Sequence, residues 1–179
     1  CPASLRNMWT EELGSASISA KIISQEELGQ VDFDVEKHGD ADVILIDESH
    51  NFRNRNTQRY ENIAKLIAYN SGRGREGLRK KIILVTATPI NNDLFDLYNQ
   101  ISLLTQGDRS YFSAAGIGDL HRYFINARRQ SREGDGAVAL FNLLEEVVIR
   151  RTRPFIAQAY PEAVIRKQTA NGEVVEQKV

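Results

Sequence analysis

The chain has 179 residues, of which 41% are hydrophobic, and this is enough to bury the core of one folded domain. Its 23 basic and 24 acidic side chains nearly cancel, which excludes a uniformly basic nucleic-acid coat. The single cysteine excludes an intramolecular disulfide and a cysteine-based zinc site, and no apolar run approaches the roughly 18 residues that span a bilayer.

The first half of the sequence predicts alternating strands and helices. Residues 3–12 favour a short helix, and Ile18–Ile23 alternates as a strand does. Ser24 precedes a glutamate by three residues, which is capping-box spacing and predicts a short helix over 25–29. Val43–Ile46 is an uninterrupted aliphatic run, typical of a strand buried on both faces of a parallel sheet.

The segment from Val43 to Thr86 is predicted to form a βαβ unit. A helix over about residues 57–69 is followed by a glycine-rich and arginine-rich loop at Ser71–Gly77 and then by a second buried strand at Lys81–Thr86. Because parallel strands need such crossovers, the first half is predicted to be an open α/β sheet.

The second half is predicted to be mainly helical. Apolar spacing predicts helices over Leu94–Leu104, Leu120–Ala127 and Leu140–Val148. The polar end, Thr169–Val179, is predicted to be a strand or a linker.

Two acidic residues, Asp47 and Glu48, directly follow the first aliphatic strand. In open α/β sheets, ligands bind beyond the carboxyl ends of the strands. Asp47 is suited to hold Mg²⁺ through water, since that ion dehydrates reluctantly, and Glu48 is suited to deprotonate a water that attacks a phosphoryl group. The alternative is an acidic strand end that merely starts a solvated turn.

The second strand ends in Thr86-Ala87-Thr88-Pro89, so polar residues of two strand ends point to one crevice. The hydroxyls of Thr86 and Thr88 can contact Glu48 or His50 and relay nucleotide state. They can also be satisfied turn hydroxyls before a helix capped by Asn91 or Asn92.

These motifs resemble those of a known family. Asp47-Glu48-Ser49-His50 resembles the Walker B box of superfamily two helicases, and residues 86–89 resemble their third motif. Within that superfamily, the sequence is most similar to the Swi/Snf-type double-stranded DNA translocases. Cys1–Trp9 resembles motif Ia, and Val148–Arg153 resembles the arginine-rich segment of that group. Three mild departures are Ser49 for alanine or glycine, Asp96 for glutamate and Arg153 for lysine.

The resemblance implies an α/β fold with a RecA-like parallel sheet flanked by helices, an incomplete lobe followed by a helical insertion. Residues 1–90 would form part of ATPase lobe 1 from motif Ia to motif III. Residues 91–160 would be its helical continuation, and residues 161–179 a tail or linker toward a missing second lobe.

The resemblance also implies ATP and Mg²⁺ as cofactors. Asp47 would help hold Mg-ATP and Glu48 would polarise the attacking water, while His50, Thr86 and Thr88 would couple hydrolysis to movement between lobes. The implied partners are double-stranded DNA, a second RecA-like lobe of the same parent chain, and a protein such as RNA polymerase or a chromatin component, with no membrane. The implied nucleic-acid contacts are Pro2, Ser4, Leu5, Arg150 and Arg151.

The 179 residues contain no glycine-rich phosphate loop ending in Gly-Lys-Ser/Thr, and Cys1 stands where a complete gene product has methionine. We therefore expect a piece of a longer DNA translocase, inactive alone, with a cytoplasmic, nucleoid-associated location rather than a nuclear one. The alternatives are an RNA- or DNA-unwinding helicase of another superfamily two subgroup and a non-catalytic scaffold with a degenerate motor fold. The basic block at residues 53–81, with 9 basic and 2 acidic side chains, is a candidate DNA surface or a solvated face.

Overall fold

The computed structural model describes residues 1–69, 79–88, 93–133, 143, 148–149, 158–159, 164–168 and 174–178. The chain divides into two units, Cys1–Gly134 and Asp135–Val179. The elements of the first unit are α1 (Arg6–Ser15), α2 (Gln25–Leu28), α3 (Val35–His38), β1 (Val43–Ile46), α4 (Gln58–Ala68), β2 (Lys81–Leu84), α5 (Leu94–Leu104) and α6 (Leu120–Glu133). Those of the second are β3 (Val164–Gln168) and β4 (Val174–Lys178).

The βαβ prediction is confirmed. β1 and β2 pair in parallel, with Val43 opposite Lys81 and Ile46 opposite Leu84, and α4 lies between them in the chain. Thr57 caps α4, since its hydroxyl accepts a hydrogen bond from the backbone N–H of Tyr60 at 3.2 Å. This α/β arrangement is consistent with part of a RecA-like lobe.

The prediction that β1 is buried on both faces is wrong. Ile46 is 4% exposed, whereas its neighbour Leu45 is 42% exposed. Successive side chains of a strand point to opposite faces, and in the described part of the chain only one face of the sheet is covered. β2 shows the same alternation, because Ile82 is partly buried and Ile83 is exposed.

The core lies on the covered face of the sheet, under α4. This helix turns Tyr60, Ile63, Leu66 and Ile67 inward, at the spacing of an amphipathic helix. Burying each such side chain stabilises the fold by roughly 1.5–3 kcal/mol. The remaining buried members of the cluster are Leu28, Ile46, Phe52 and Leu103.

The N-terminal region differs from the prediction at one element. Ile18–Ile23 forms no strand, because no described strand runs beside it to complete a ladder. The helix α2 is confirmed, with the Ser24 hydroxyl accepting a hydrogen bond from the Glu27 N–H at 3.0 Å. The first helix has the predicted length but begins three residues later, after a 3-10 turn at Ala3–Leu5.

The helices after β2 follow the apolar spacing. α5 has the predicted bounds, but its N-cap is Asp93 rather than Asn91 or Asn92, and the Asp93 carboxylate accepts from the Phe95 N–H at 3.1 Å. The predicted Ser71–Gly77 loop and most of the predicted Leu140–Val148 helix lie outside the described residues. Among the described helices, none combines the length and the apolar character that a bilayer crossing requires.

The second unit contains a hairpin. β3 and β4 pair in antiparallel register, with Val164 opposite Lys178. The strand alternative for the C-terminal end is therefore right for Val174–Lys178, while β3 was not predicted. The sequence does carry a hairpin signal, because Asn171-Gly172 lies between the two strand segments.

Candidate functional site

Two hydrogen bonds continue the strand pairing beyond the ends of β1 and β2. The Val85 N–H donates to the Ile46 carbonyl, and the Ser49 N–H donates to the Val85 carbonyl, each at 2.9 Å. A 3-10 turn over Ser49–Phe52 begins at this point. The two strand ends are thereby joined, and the acidic residues after β1 are held beside the threonines after β2.

Asp47 is a buried and restrained carboxylate, only 8% exposed. Its Oδ2 accepts a hydrogen bond from the indole Nε1–H of Trp9 at 2.8 Å, and its Oδ1 accepts from the Glu48 backbone N–H at 2.9 Å. The side-chain amide of Gln25 donates to the Asp47 carbonyl at 2.8 Å. Both the carboxylate and the backbone of Asp47 are therefore fixed in direction.

Glu48 has a left-handed backbone conformation, with φ 47° and ψ 50°. For a residue other than glycine this conformation costs roughly 1–2 kcal/mol. Strained backbone of this kind concentrates at functional sites. The Glu48 side chain remains partly exposed, so its carboxylate is accessible from solvent.

His50 joins the two strand ends through its side chain. Its Nδ1 lies 3.1 Å from Glu48 Oε2 and 3.2 Å from Thr86 Oγ1. The contact with Glu48 is an ion pair when the imidazole is protonated, and the hydrogen bond with Thr86 has a direction set by the tautomer of the ring. Thr86 Oγ1 also accepts from the Thr88 N–H at 3.1 Å.

The structure thus brings together most of the predicted catalytic set. His50 is in direct contact with both Glu48 and Thr86, and Asp47 is adjacent to Glu48. Thr88 reaches the group through its backbone N–H, while Thr88 itself is exposed.

Several contacts around the site were not predicted from the sequence. Ser49 is fully buried, and its hydroxyl donates to Gln100 Oε1 of α5 at 2.9 Å. Gln25 bonds to Asp47 and also accepts from the Asn51 side chain at 2.9 Å. Isolated glutamines carry no spacing signal, but Trp9, the single tryptophan, lies inside the segment that resembles motif Ia.

The structure describes three of the five predicted nucleic-acid contacts. Pro2 and Leu5 are half-buried around the exposed Ser4 in the first turn. Glu26 holds this turn, because its Oε2 accepts from the Ala3 N–H at 3.0 Å. The pKa of Glu26 is lowered, first by its own backbone N–H and then by that of Ala3. Arg150 and Arg151 lie outside the described residues.

Part of the basic block makes internal contacts. The Arg55 guanidinium lies over the rings of Tyr60 and Tyr98, at 5.7 and 5.9 Å from their centroids. Arg79 forms an ion pair with Asp108 at 2.8 Å. Lys80 is buried, and its ammonium donates to the Gly39 carbonyl. These three cations therefore have structural contacts of their own.

The donor chemistry at the sheet edge fits Mg²⁺ bound in part by a substrate. Among the described residues, no group of three or more His, Cys, Asp or Glu side chains forms a metal cage. Mg²⁺ bound with nucleotide phosphates typically takes only one or two protein carboxylates and keeps several waters. Asp47 supplies one oriented carboxylate, as that mode of binding requires.

Comparisons with known proteins agree on one family. The chain is 27% identical over 112 residues to "Uncharacterized ATP-dependent helicase YqhH" of Bacillus subtilis, covering 63% of this chain and 17% of that protein. It is 24% identical over 139 residues to "Helicase SWR1" of Gibberella zeae, covering 74% of this chain and 7% of that protein. No solved structure gives a significant match. The sequence profile of the SNF2-related domain matches residues 16–171, most of the chain, and the chain therefore belongs to the SNF2-related domain family of helicase-like ATPase domains.

Proposed function

We propose that the protein containing this chain uses ATP hydrolysis to move along double-stranded DNA. Family membership supports ATP-dependent motor activity, and the relatives carry the names of helicases, one of them ATP-dependent. The matched regions are 17% and 7% of those relatives, so the activity belongs to a longer polypeptide.

The observation that carries the proposal is the contact chain from Glu48 through His50 to Thr86. Glu48 is the general base that takes a proton from the attacking water. His50 holds the Glu48 carboxylate on one side and the β2 end on the other. If the Glu48 carboxylate changes its contacts during the reaction, His50 would therefore transmit the change to Thr86 and Thr88.

Asp47 is the proposed holder of Mg²⁺ bound to ATP. The ion would neutralise phosphate charge when bound. Asp47 contributes a carboxylate whose direction is set by Trp9 and by the Glu48 N–H. The buried position of Asp47 keeps this carboxylate from rotating toward bulk solvent.

The proposed DNA contacts are Pro2, Ser4 and Leu5 in the first turn and Arg150 and Arg151 in the arginine-rich segment. Each phosphate that a cation neutralises adds about −0.9 to the slope of log affinity against log salt. Replacing both arginines by alanine should therefore flatten that slope for the full-length protein by up to about two units if each pairs with one phosphate.

The substitution Glu48→Gln tests the catalytic role. In the full-length protein it should reduce ATP turnover at least about 100-fold, because it removes the general base, while nucleotide binding is kept. The matched control is Glu61→Gln, an exposed carboxylate on α4 that forms a surface ion pair with Lys65. Steady-state ATPase assays and nucleotide-binding titrations distinguish the two variants, and a fully active Glu48→Gln protein would refute the assigned base.

The nucleic acid is tested separately. A translocase is supported if duplex DNA stimulates the ATPase activity and the protein moves along that DNA without separating its strands. Stimulation by RNA, or strand separation, would assign the protein to another helicase subgroup. ATP turnover that nucleic acid does not change would also contradict a DNA-driven motor.

The 179-residue chain alone is proposed not to turn over ATP, since the phosphate loop and the second lobe must come from other sequence. Hydrolysis by this chain that disappears in its Glu48→Gln variant would overturn that proposal.

A further inference from the structure

The indole of Trp9 connects α1 to the edge of the sheet. Its Nε1–H donates to Asp47 Oδ2 at 2.8 Å, across 38 positions of sequence. Trp9 is partly buried and is the single tryptophan of the chain. An indole N–H only donates, so Trp9 orients the carboxylate and does not itself take part as a base or a metal ligand.

The bond acts on a carboxylate with little other freedom. The second oxygen of Asp47 accepts from the Glu48 N–H, and its carbonyl accepts from Gln25. Hydrogen bonds to a charged acceptor are roughly twice as strong as neutral ones. Loss of the indole donor would leave the Oδ2 side of this buried group without that restraint.

In the described part of the chain, the rest of α1 makes mainly exposed contacts. None of its residues is buried. Its charged link is Arg6 with Glu27 at 3.0 Å, and both of these side chains are more than a third exposed. Surface ion pairs of this kind contribute little. A displacement of α1 therefore loses little packing free energy. Such a displacement would move the Trp9 indole and so act on the Asp47 carboxylate.

We propose that Trp9 is a positioning residue for Asp47, and that through it the placement of α1 sets how well Asp47 binds a nucleotide-bound divalent cation. This inference rests on the proposed function, which places a DNA contact in the turn that precedes α1. DNA bound at Pro2–Leu5 would move or fix α1 and so change the orientation of the Asp47 carboxylate.

The kinetic test uses Trp9→Phe in the full-length protein, which removes the donor and keeps an aromatic ring. We expect the Mg²⁺ concentration for half-maximal ATPase activity to rise about tenfold, because one charge-assisted hydrogen bond is lost. The kcat at saturating Mg²⁺ should change by less than about threefold, since Glu48 and His50 are untouched. Stimulation by duplex DNA should fall toward the value without DNA.

The matched control is Met8→Ala, an exposed side chain on the same helix. It should leave both the Mg²⁺ dependence and the DNA stimulation at wild-type values. A Trp9→Phe protein with unchanged Mg²⁺ dependence would overturn the proposal, as would a Met8→Ala protein with the same defect as Trp9→Phe.

A spectroscopic test needs no active enzyme. Mn²⁺ shares the oxygen preference of Mg²⁺, and titration with Mn²⁺ and nucleotide should quench the Trp9 emission in the full-length protein. The Trp9 signal is the difference between the wild-type and Trp9→Phe emission spectra. If Trp9→Phe does not fold, the Trp9 signal is instead the part of the quenching that the Asp47→Asn substitution abolishes. No Asp47-dependent response would overturn the proposal.

The two proposals fail in different ways. If Glu48→Gln keeps full activity but the Mn²⁺ response remains, the catalytic assignment is wrong and the Trp9–Asp47 coupling stands. If Glu48→Gln is inactive and the response is absent, the motor stands and Trp9 has only a structural role.

Discussion

Glu48 combines a chemical function with an unfavourable backbone conformation. Its positive φ lets its N–H donate to the preceding Asp47 carboxylate while its own carboxylate contacts His50. A glycine would adopt this conformation without the steric cost, but it would supply no carboxylate. The backbone conformation of Glu48 therefore lowers the stability locally, and the contacts of Glu48 with Asp47 and His50 offset this loss.

The strain at Glu48 predicts that two inactive variants at this position differ in stability. The free energy of unfolding of Glu48→Gly should exceed that of Glu48→Gln by about 1 kcal/mol. Glycine relieves the strain of the left-handed conformation, and the greater conformational entropy of glycine in the unfolded chain offsets only part of this gain. Both variants should lack ATPase activity in the full-length protein. Urea unfolding midpoints measure the difference, and a glycine variant less stable than the glutamine variant would show that the conformation is not strained.

At the scale of elements, α4 is held by polar as well as apolar contacts. Asn62 is 3% exposed, and its amide donates to the carbonyls of Leu28 at 2.9 Å and Gln30 at 2.7 Å. Leu28 is the last residue of α2, where helical carbonyls lack partners within the helix, and Gln30 lies two residues beyond it. Asn62 therefore caps α2 from a neighbouring helix.

Asn62→Ala should destabilise the chain by about 1–3 kcal/mol, since it removes the donor of at least one buried carbonyl. The control is Glu61→Ala, one position earlier on the same helix. Its ion pair with Lys65 has both side chains more than half exposed, so its loss should cost at most about 0.5 kcal/mol. Thermal unfolding followed by circular dichroism compares the two, and equal effects would contradict the capping role of Asn62.

Periodicity predicted the elements that the core dictates. The bounds of α4 and α5 follow from apolar residues at helical spacing, and β1 and β2 follow from aliphatic runs. The Ile18–Ile23 strand failed because an alternating pattern does not reveal whether a partner strand lies beside it. The contacts of His50 with Glu48 and Thr86 were foreseeable from strand ends at one sheet edge. The bonds of Trp9 and Gln25 to Asp47 were not, since tertiary packing alone sets them.

At the scale of the whole molecule, one face of the parallel sheet is open in the described part of the chain. Val43, Leu45, Ile83 and Val85 are between 40% and 51% exposed, and they lie side by side across β1 and β2 and the residue after β2. Parallel sheets are ordinarily covered on both faces, and contiguous exposed apolar surface promotes association. The two faces of this sheet therefore contribute very differently to stability and to solubility.

Neighbouring residues of β1 provide the test, because they point to opposite faces. Ile46→Ala should cost about 2–5 kcal/mol, since it leaves a cavity in the core, whereas Leu45→Ala should cost less than about 1.5 kcal/mol. Leu45→Lys should lower the fluorescence of a hydrophobic dye such as ANS and reduce light scattering at high protein concentration, with little change in the unfolding midpoint. Urea titrations and dye titrations of the three variants check this, and equal destabilisation by the two alanine substitutions would mean that both faces of the sheet are buried in solution.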